Sequence, residues 1–236
     1  MTERYTLKLD RYSSHQQIAA WLNYHKHELT HHRPGVVYDV GCAQGFLGQL
    51  LSSETFVLYG MDFDANAVTV ARAYYDSVQQ VDIEQPPFPK FPQMPDVLVL
   101  ADVLEHTRYP EVCLRNLMKT YLPSGGWVIV SVPNIANIFI RWSLLWGRFD
   151  YTERGILDRT HFRFFTRRSI SALCKSVGLD IDQLATTPIP LPLVNPIFDE
   201  GRLLWFLHQV NALAARLFPT LFGYQIILYG SYAPKS

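Results

Sequence analysis

The chain has 236 residues, 48% of them hydrophobic and 18% charged, which is room for one large or two small domains with a real core. Lysine plus arginine and aspartate plus glutamate both total 21, so the net charge is zero and a broad nucleic-acid-binding surface is not expected. Three cysteines (Cys42, Cys113 and Cys174) form no C-x-x-C pair, which argues against a zinc ribbon or a disulfide framework and for a reducing, cytoplasmic setting. The polar first ten residues carry no apolar leader, and the uncharged stretch 203–215 falls short of the roughly 20 apolar residues a membrane span needs.

In chain order, 14–31 reads as a helix capped by Ser13 or Ser14 and broken by Pro34-Gly35. Strand and helix signals then alternate, the pattern of a parallel sheet covered on both faces. Strands are expected at 36–40, 55–61, 77–82, 96–101 and 126–132, and helices at 45–53, 64–75 and 110–121. The unbroken apolar run VLVLA suits a central strand. Five prolines within 85–95 impose an extended connection. Further on, the pattern predicts an apolar aromatic stretch (134–150), a helix (167–177) and a strand (178–185). A second proline-rich segment (Pro188, Pro190, Pro192, Pro196), an apolar helix near 199–218 and a last strand at 224–232 complete it.

The segment 36–51, VVYDVGCAQGFLGQLL, is the most informative. A β-branched strand runs into Asp39, then into Gly41-x-Ala43-x-Gly45, then into the expected helix, whose start would offer free N–H groups. Dinucleotide sites use G-x-G-x-x-G, so that a pyrophosphate can rest on the helix. Here an acid stands two residues before the first glycine, where it repels a pyrophosphate and attracts an ammonium group. These residues favour a cationic cofactor that bears an amino acid over a dinucleotide; taken alone, the motif also reads as a tight strand–helix turn. The second strand ends in Gly60-Met61-Asp62-Phe63: Asp62 can accept two ribose hydroxyls, and Phe63 can lie against an adenine. The third ends in Val81-Asp82-Ile83, where the carboxylate can accept an exocyclic amine. Any one of these aspartates could be a turn residue. Three at consecutive strand ends, on the side where open α/β sheets bind ligands, make a set.

With DVGCAQG, GMDFDANAV, VDIEQPPFP and the long block DVLVLADVLEHTRYPEVCLRNLMKTYLPSGGWVIVSVPN, the sequence resembles the class I S-adenosylmethionine-dependent methyltransferases over roughly residues 12–185 and the last strand. The resemblance implies S-adenosyl-L-methionine as cofactor and S-adenosyl-L-homocysteine as product. It places cofactor roles on Asp39, Gly41, Ala43, Gly45, Asp62, Phe63, Asp82, Ile83 and Ala101. Ala43 stands where the family usually has glycine, and a methyl group is tolerable there. The implied α/β fold is a Rossmann-like, seven-stranded, mostly parallel sheet with helices on both faces and an antiparallel last strand. It would form one domain: a helical cover (1–35), a cofactor-binding core (36–133), a lid or acceptor segment after strand five (134–168), and a C-terminal part with an extra helix (169–236). Residues 146–168 are similar to a subgroup associated with bacterial envelope and glycan gene neighbourhoods. Leu104-Glu105-His106 and Thr160-His161 are similar to elements of ubiquinone-biosynthesis O-methyltransferases.

Methyl transfer from an activated sulfonium mainly needs alignment and a proton acceptor, and no triad is visible. His161 is the candidate base, with His106 as a second catalytic candidate. Asp102, Glu105 and His106 have metal-ligand chemistry, but a structural role is favoured and no metal is expected. Six arginines against three acids between 148 and 168 suit a phosphate or carboxylate on the acceptor, or else a solvated surface. The apolar stretch 138–146 and the stripe Leu203, Phe206, Leu207, Val210, Leu213, Leu217 suit core packing or a homodimer, and leave room for an amphiphilic acceptor or peripheral membrane contact. The expected acceptor is a small or amphiphilic molecule, glycan, lipid-linked or quinol-like. Two other readings stay open: a methyltransferase-like scaffold that binds cofactor without turnover, and a nicotinamide-dependent oxidoreductase, which Asp39 and the glycine spacing disfavour.

Overall fold

The computed structural model describes residues 11–30, 33–191 and 202–234. Pro192, Pro196, residues 199–201 of the expected apolar helix, and the side chains of Leu203 and Leu204 lie outside the described residues. Seven strands form one sheet: β1 (Gly35–Val40), β2 (Phe56–Asp62), β3 (Ser77–Gln80), β4 (Val97–Ala101), β5 (Gly126–Pro133), β6 (Leu179–Thr187) and β7 (Gln225–Tyr232). Their order is β3-β2-β1-β4-β5-β7-β6. The first five strands run parallel, and β7 pairs antiparallel with both β5 and β6. The chain starts at β1, steps outward to β2 and β3, and returns to lay β4 on the other side of β1. Connections therefore diverge between β1 and β4, and the strand ends there open a crevice.

Burial explains why β1 and β4 sit at the centre. All six residues of β1 and all five of β4 are buried. Because side chains alternate across a strand, Tyr38, Leu98 and Leu100 enter one core layer while Val37, Val97 and Val99 enter the other. One layer is roofed by α4 (Pro110–Tyr121), whose Leu114, Leu117 and Met118 point inward. The other is roofed by α1 (Ser14–Tyr24) through Ile18, Trp21 and Leu22. The proline-rich connection 85–95 has no regular structure. Buried Phe88 and Phe91 pin it, and the Tyr121 and Tyr38 hydroxyls donate to the Pro89 and Gln93 carbonyls.

Three expected helices differ in the structure. The 14–31 helix is capped by Ser13 and breaks at His25, before a short α2 (Lys26–Thr30). The His25 ring stacks on Trp21 at 4.0 Å and its Nδ1 reaches the Trp21 carbonyl at 3.0 Å, so the side chain competes for a helix acceptor. The helix expected at 45–53 is only turns and a single 3-10 turn, Gly48–Leu50. Gly41, Ala43 and Gly45 all have positive φ, and a helix there would also carry Gly48 in its interior at an entropic cost. The helix expected at 64–75 stops early, as α3 (Ala65–Ala71) capped by Asp64. Further along the chain, α6 (Arg167–Ser176) adds Ile170 and Cys174 to the core, while α5 (Ile138–Leu145), α7 (Arg202–Leu217) and α8 (Pro219–Phe222) lie outside the main strands' cover.

Candidate functional site

The crevice is floored by the β1–β2 loop. The Gly41 and Cys42 N–H groups both donate to the Met61 carbonyl, folding the loop back over the tip of β2. A Cβ on Gly41 would stand 2.4 Å from Val103 Cγ2 at a φ of +75°, so only glycine lets the loop pass this close to the chain after β4. Ala43 tolerates its left-handed φ of 46° because its N–H is held by Asp62 Oδ2 at 2.7 Å. The other Asp62 oxygen accepts the Asp64 N–H at 2.9 Å. Asp62 thus fixes the loop and presents its remaining acceptor capacity at the strand end. Burial raises its carboxyl above the ordinary value, against the lowering pull of those N–H groups.

Asp39 lies deeper, only 3% exposed. Its Oδ2 accepts the Tyr75 hydroxyl at 2.5 Å, and the Tyr75 oxygen in turn accepts the Gly48 N–H at 3.1 Å. The early end of α3 is what lets Tyr75 turn inward and make this link. Burial above all, with the neighbouring Asp62 charge adding, pushes the Asp39 carboxyl up to about 7. A cationic group beside it would reverse that shift. Tyr75 carried no signal in the sequence.

Phe63 is 72% exposed at the tip of β2, a free aromatic face beside Asp62. The Val81 N–H donates to the Asp62 carbonyl, bringing the end of β3 alongside. Asp82 and Ile83 fall just past β3 rather than within it. Asp82 accepts the Glu84 N–H and the Gln85 side chain, and the Ile83 carbonyl accepts the Cys113 thiol. Ala101 ends β4, and Asp102 follows it at a φ of 59°, clamped by Ser131 and Gln225. The residues expected around a cofactor are thus gathered at the carboxyl ends of β1 to β4. The free helix start expected behind Gly45 is replaced by the loop's own backbone.

A second group stands over the tip of β4. His106 and His161 pack edge to face with ring centroids 4.8 Å apart. His161 Nδ1 lies 3.0 Å from the Ile156 carbonyl and His106 Nδ1 3.2 Å from Thr160 Oγ1, which itself donates to Asp158 Oδ1. With Nδ1 bonded, each ring keeps Nε2 as its acceptor. Burial first, and the facing His161 second, lower the His106 pKa and favour its neutral ring. Glu105, 1% exposed, completes a set whose potential ligand atoms lie within 4.8 Å of one another. A divalent cation would take Glu105, His106 and His161; Asp102, grouped with them from the sequence, is not in that set and instead accepts from Ser131 and Gln225. Asp158 and Thr160 hold the histidines; in the sequence Asp158 is only one of the acids among the arginines, and Thr160 only a member of the Thr160-His161 element.

The lid is less closed than the sequence implied. Ile140 is buried with Ile156 and Leu157, but Phe139, Trp142, Leu144, Leu145 and Trp146 are each more than half exposed, so core packing is not their role here. Two of the expected anion-binding arginines are already engaged. Arg159 pairs with Glu153 at 3.1 Å, and Arg163 donates to the Arg108 carbonyl.

Residues 12–184 match the family described as a methyltransferase domain. The chain belongs to the class I S-adenosylmethionine-dependent methyltransferases. The oxidoreductase alternative falls with that assignment. Among curated relatives, the ubiquinone biosynthesis O-methyltransferase of Thiobacillus denitrificans is 31% identical over 155 residues, covering 63% of this chain and 66% of that protein. The enzyme of the same name from Azoarcus sp. is 26% identical over 156 residues, with the same coverage. The chain thus spans just under two thirds of the length of these relatives. Among solved structures, magnesium protoporphyrin IX methyltransferase from Synechocystis PCC 6803, with bound SAH, superposes with a TM-score of 0.61 at 17% identity, covering 96% of this chain and 85% of that one. A SAM-dependent methyltransferase from Archaeoglobus fulgidus gives 0.57 at 15% identity, covering 93% and 95%. At these identities the superpositions speak for the fold. The methyltransferase's crevice fits the cofactor on its own terms: a glycine cradle a methyl group would fill, an acceptor carboxylate at β2, and an exposed aromatic face beside it.

Proposed function

We propose that this methyltransferase methylates a hydroxyl oxygen of a small or amphiphilic acceptor held beneath the segment 134–168, with His161 as the proton acceptor. The cofactor supplies a methyl group already activated on a sulfonium sulfur, and Asp39, Asp62, Asp82 and the Gly41–Gly45 loop hold it. One observation carries the reading: His161 is tied through Nδ1 to the Ile156 carbonyl, so its Nε2 is the basic atom, beside the neutral His106 and at the same end of the sheet as the cofactor crevice. His106 and the Asp158–Thr160 turn position it. The O-methyltransferase names of the relatives support an oxygen acceptor. The exposed apolar side chains of the segment suit an oily part of the acceptor.

The test is a comparison of His161→Ala with wild type. A general base contributes about 10²–10⁴-fold in rate, so turnover should fall by at least about 100-fold while cofactor affinity by calorimetry stays level. Wild-type turnover in this variant across neutral and alkaline pH would place the base elsewhere. Cofactor binding with no transfer to any of a panel of phenols, quinols and hydroxylated glycans would leave the scaffold reading standing.

A further inference from the structure

Among the described residues no helix is long and apolar enough to cross a membrane, yet α7 is amphipathic the wrong way round for water. Its uncharged polar side chains face the protein. Gln209 Oε1 accepts from Arg11 at 2.8 Å and from the Tyr12 hydroxyl at 2.6 Å, Asn211 donates to the Ile189 carbonyl at 2.8 Å, and His208 is buried with its ring against Tyr12. The apolar side chains face out: Trp205, Phe206, Leu213, Leu217 and, just past the helix, Phe218 are each more than half exposed. The inversion is fixed by specific hydrogen bonds, and it reverses the expectation that this stripe packs into the core.

The α7–α8 corner is joined to the lid. Asn137, the cap of α5, donates to the Gly223 carbonyl at 2.9 Å, and Asn134 donates to Thr220 and Gly223. The start of α5, with its exposed aromatic side chains, is therefore fixed to this corner. Charge decides the occupant. Residues 135–149 and 205–224 contain the exposed Arg141, Arg148 and Arg216 and no aspartate or glutamate, in a chain whose net charge is zero. A second copy docked face to face by a two-fold axis would bring arginines against arginines with no acid between them. An anionic lipid surface answers both features, because tryptophan and phenylalanine sit at the interface while arginine meets the headgroups.

We propose that α7, with the exposed side of α5, docks this protein on the surface of an anionic bilayer, α7 lying along the membrane for its length of about 24 Å. The methyltransferase core then stands beside the source of an amphiphilic acceptor, although the docking does not depend on the identity of that acceptor.

The experiment is sedimentation of the full chain with vesicles of phosphatidylcholine alone and of phosphatidylcholine mixed with phosphatidylglycerol. Wild type should partition onto the mixed vesicles, weakly onto phosphatidylcholine, and less as salt rises. Leu213→Glu and Trp205→Glu replace exposed side chains, so the fold and cofactor affinity should hold while partition falls by about tenfold or more. Arg148→Glu should lower binding to the mixed vesicles only. Absence of binding to mixed vesicles, or binding that Leu213→Glu leaves unchanged, overturns the proposal. So does a dimer seen by light scattering that Leu213→Glu dissociates, in a protein that ignores both vesicles, because the face would then belong to a second copy. Cofactor affinity measured on the same samples reports on the methyltransferase reading independently.

Discussion

The two regions to which we assign the cofactor and the acceptor are built differently. At the cofactor end, the tips of β1 to β4 are held by backbone hydrogen bonds, and the decisive side chains are buried or bonded: Asp39 to Tyr75, and Asp62 to the N–H groups of Ala43 and Asp64. At the proposed acceptor end, the segment 134–168 keeps His161 tightly placed against His106 but leaves most of its large apolar side chains exposed. A fixed cofactor rewards rigid geometry written into strand ends and glycine turns. An acceptor or surface is met by exposed side chains on short helices and loops, where substitution costs little stability.

The sharpest way to break this comparison is Asp62→Ala. In a mainly acceptor-facing role the change would touch only ribose contacts. In the structure it also releases the Ala43 N–H and with it a left-handed residue of the glycine loop. Loss of the charge-assisted bonds should cost about 1.5–3 kcal/mol, roughly 10- to 150-fold in cofactor affinity by calorimetry. An unchanged affinity would remove Asp62 from the site.

A smaller effect distinguishes Asp39. Its carboxyl holds a proton up to about pH 7 in the folded protein, whereas its ordinary value is 3.8. Between those values the folded chain binds more protons than the unfolded one, so the Asp39 contribution makes stability fall as pH rises from about 4 to 7 and then level off. Asp39→Asn should flatten that part of the slope in thermal melts of the cofactor-free protein. The same variant should bind the cofactor about tenfold more weakly at pH 8, where the wild-type carboxylate can face the cofactor's ammonium group. A variant whose melting profile matches wild type across this range would show that Asp39 titrates normally.

Chelation is expected to have the least effect. We read His106 and His161 as a base assembly held by Thr160 and the Ile156 carbonyl rather than as metal ligands, so turnover should persist in excess chelator. Loss of turnover that magnesium or zinc restores would turn the same three residues into ligands, and His161 would no longer be a free base.

Much of the cofactor end was legible in the sequence because its constraints are local. A glycine with positive φ, a β-branched strand before it and an acid at each strand tip are properties of consecutive residues. The parallel order and central place of β4 follow from VLVLA being apolar on both faces. The helix at 45–53 was misjudged because the apolar spacing suits a helix. The loop's positive φ angles and the packing of Tyr75 against Gly48 enforce turns instead.

The sequence by itself determined the sheet class, the family and the placement of Asp39, Asp62 and Asp82 at or just past consecutive strand ends. Tertiary structure alone brought Tyr75 onto Asp39, thirty-six positions away, and Thr160 onto His106 across fifty-four, because such contacts depend on where a chain returns rather than on its periodicity. It alone decided which way α7 faces. Hydrophobic spacing defines a stripe but does not say whether the protein lies on the side of the stripe or opposite it. Here the bonds of Gln209 and Asn211 to neighbouring segments turned the polar side inward and left the apolar side out.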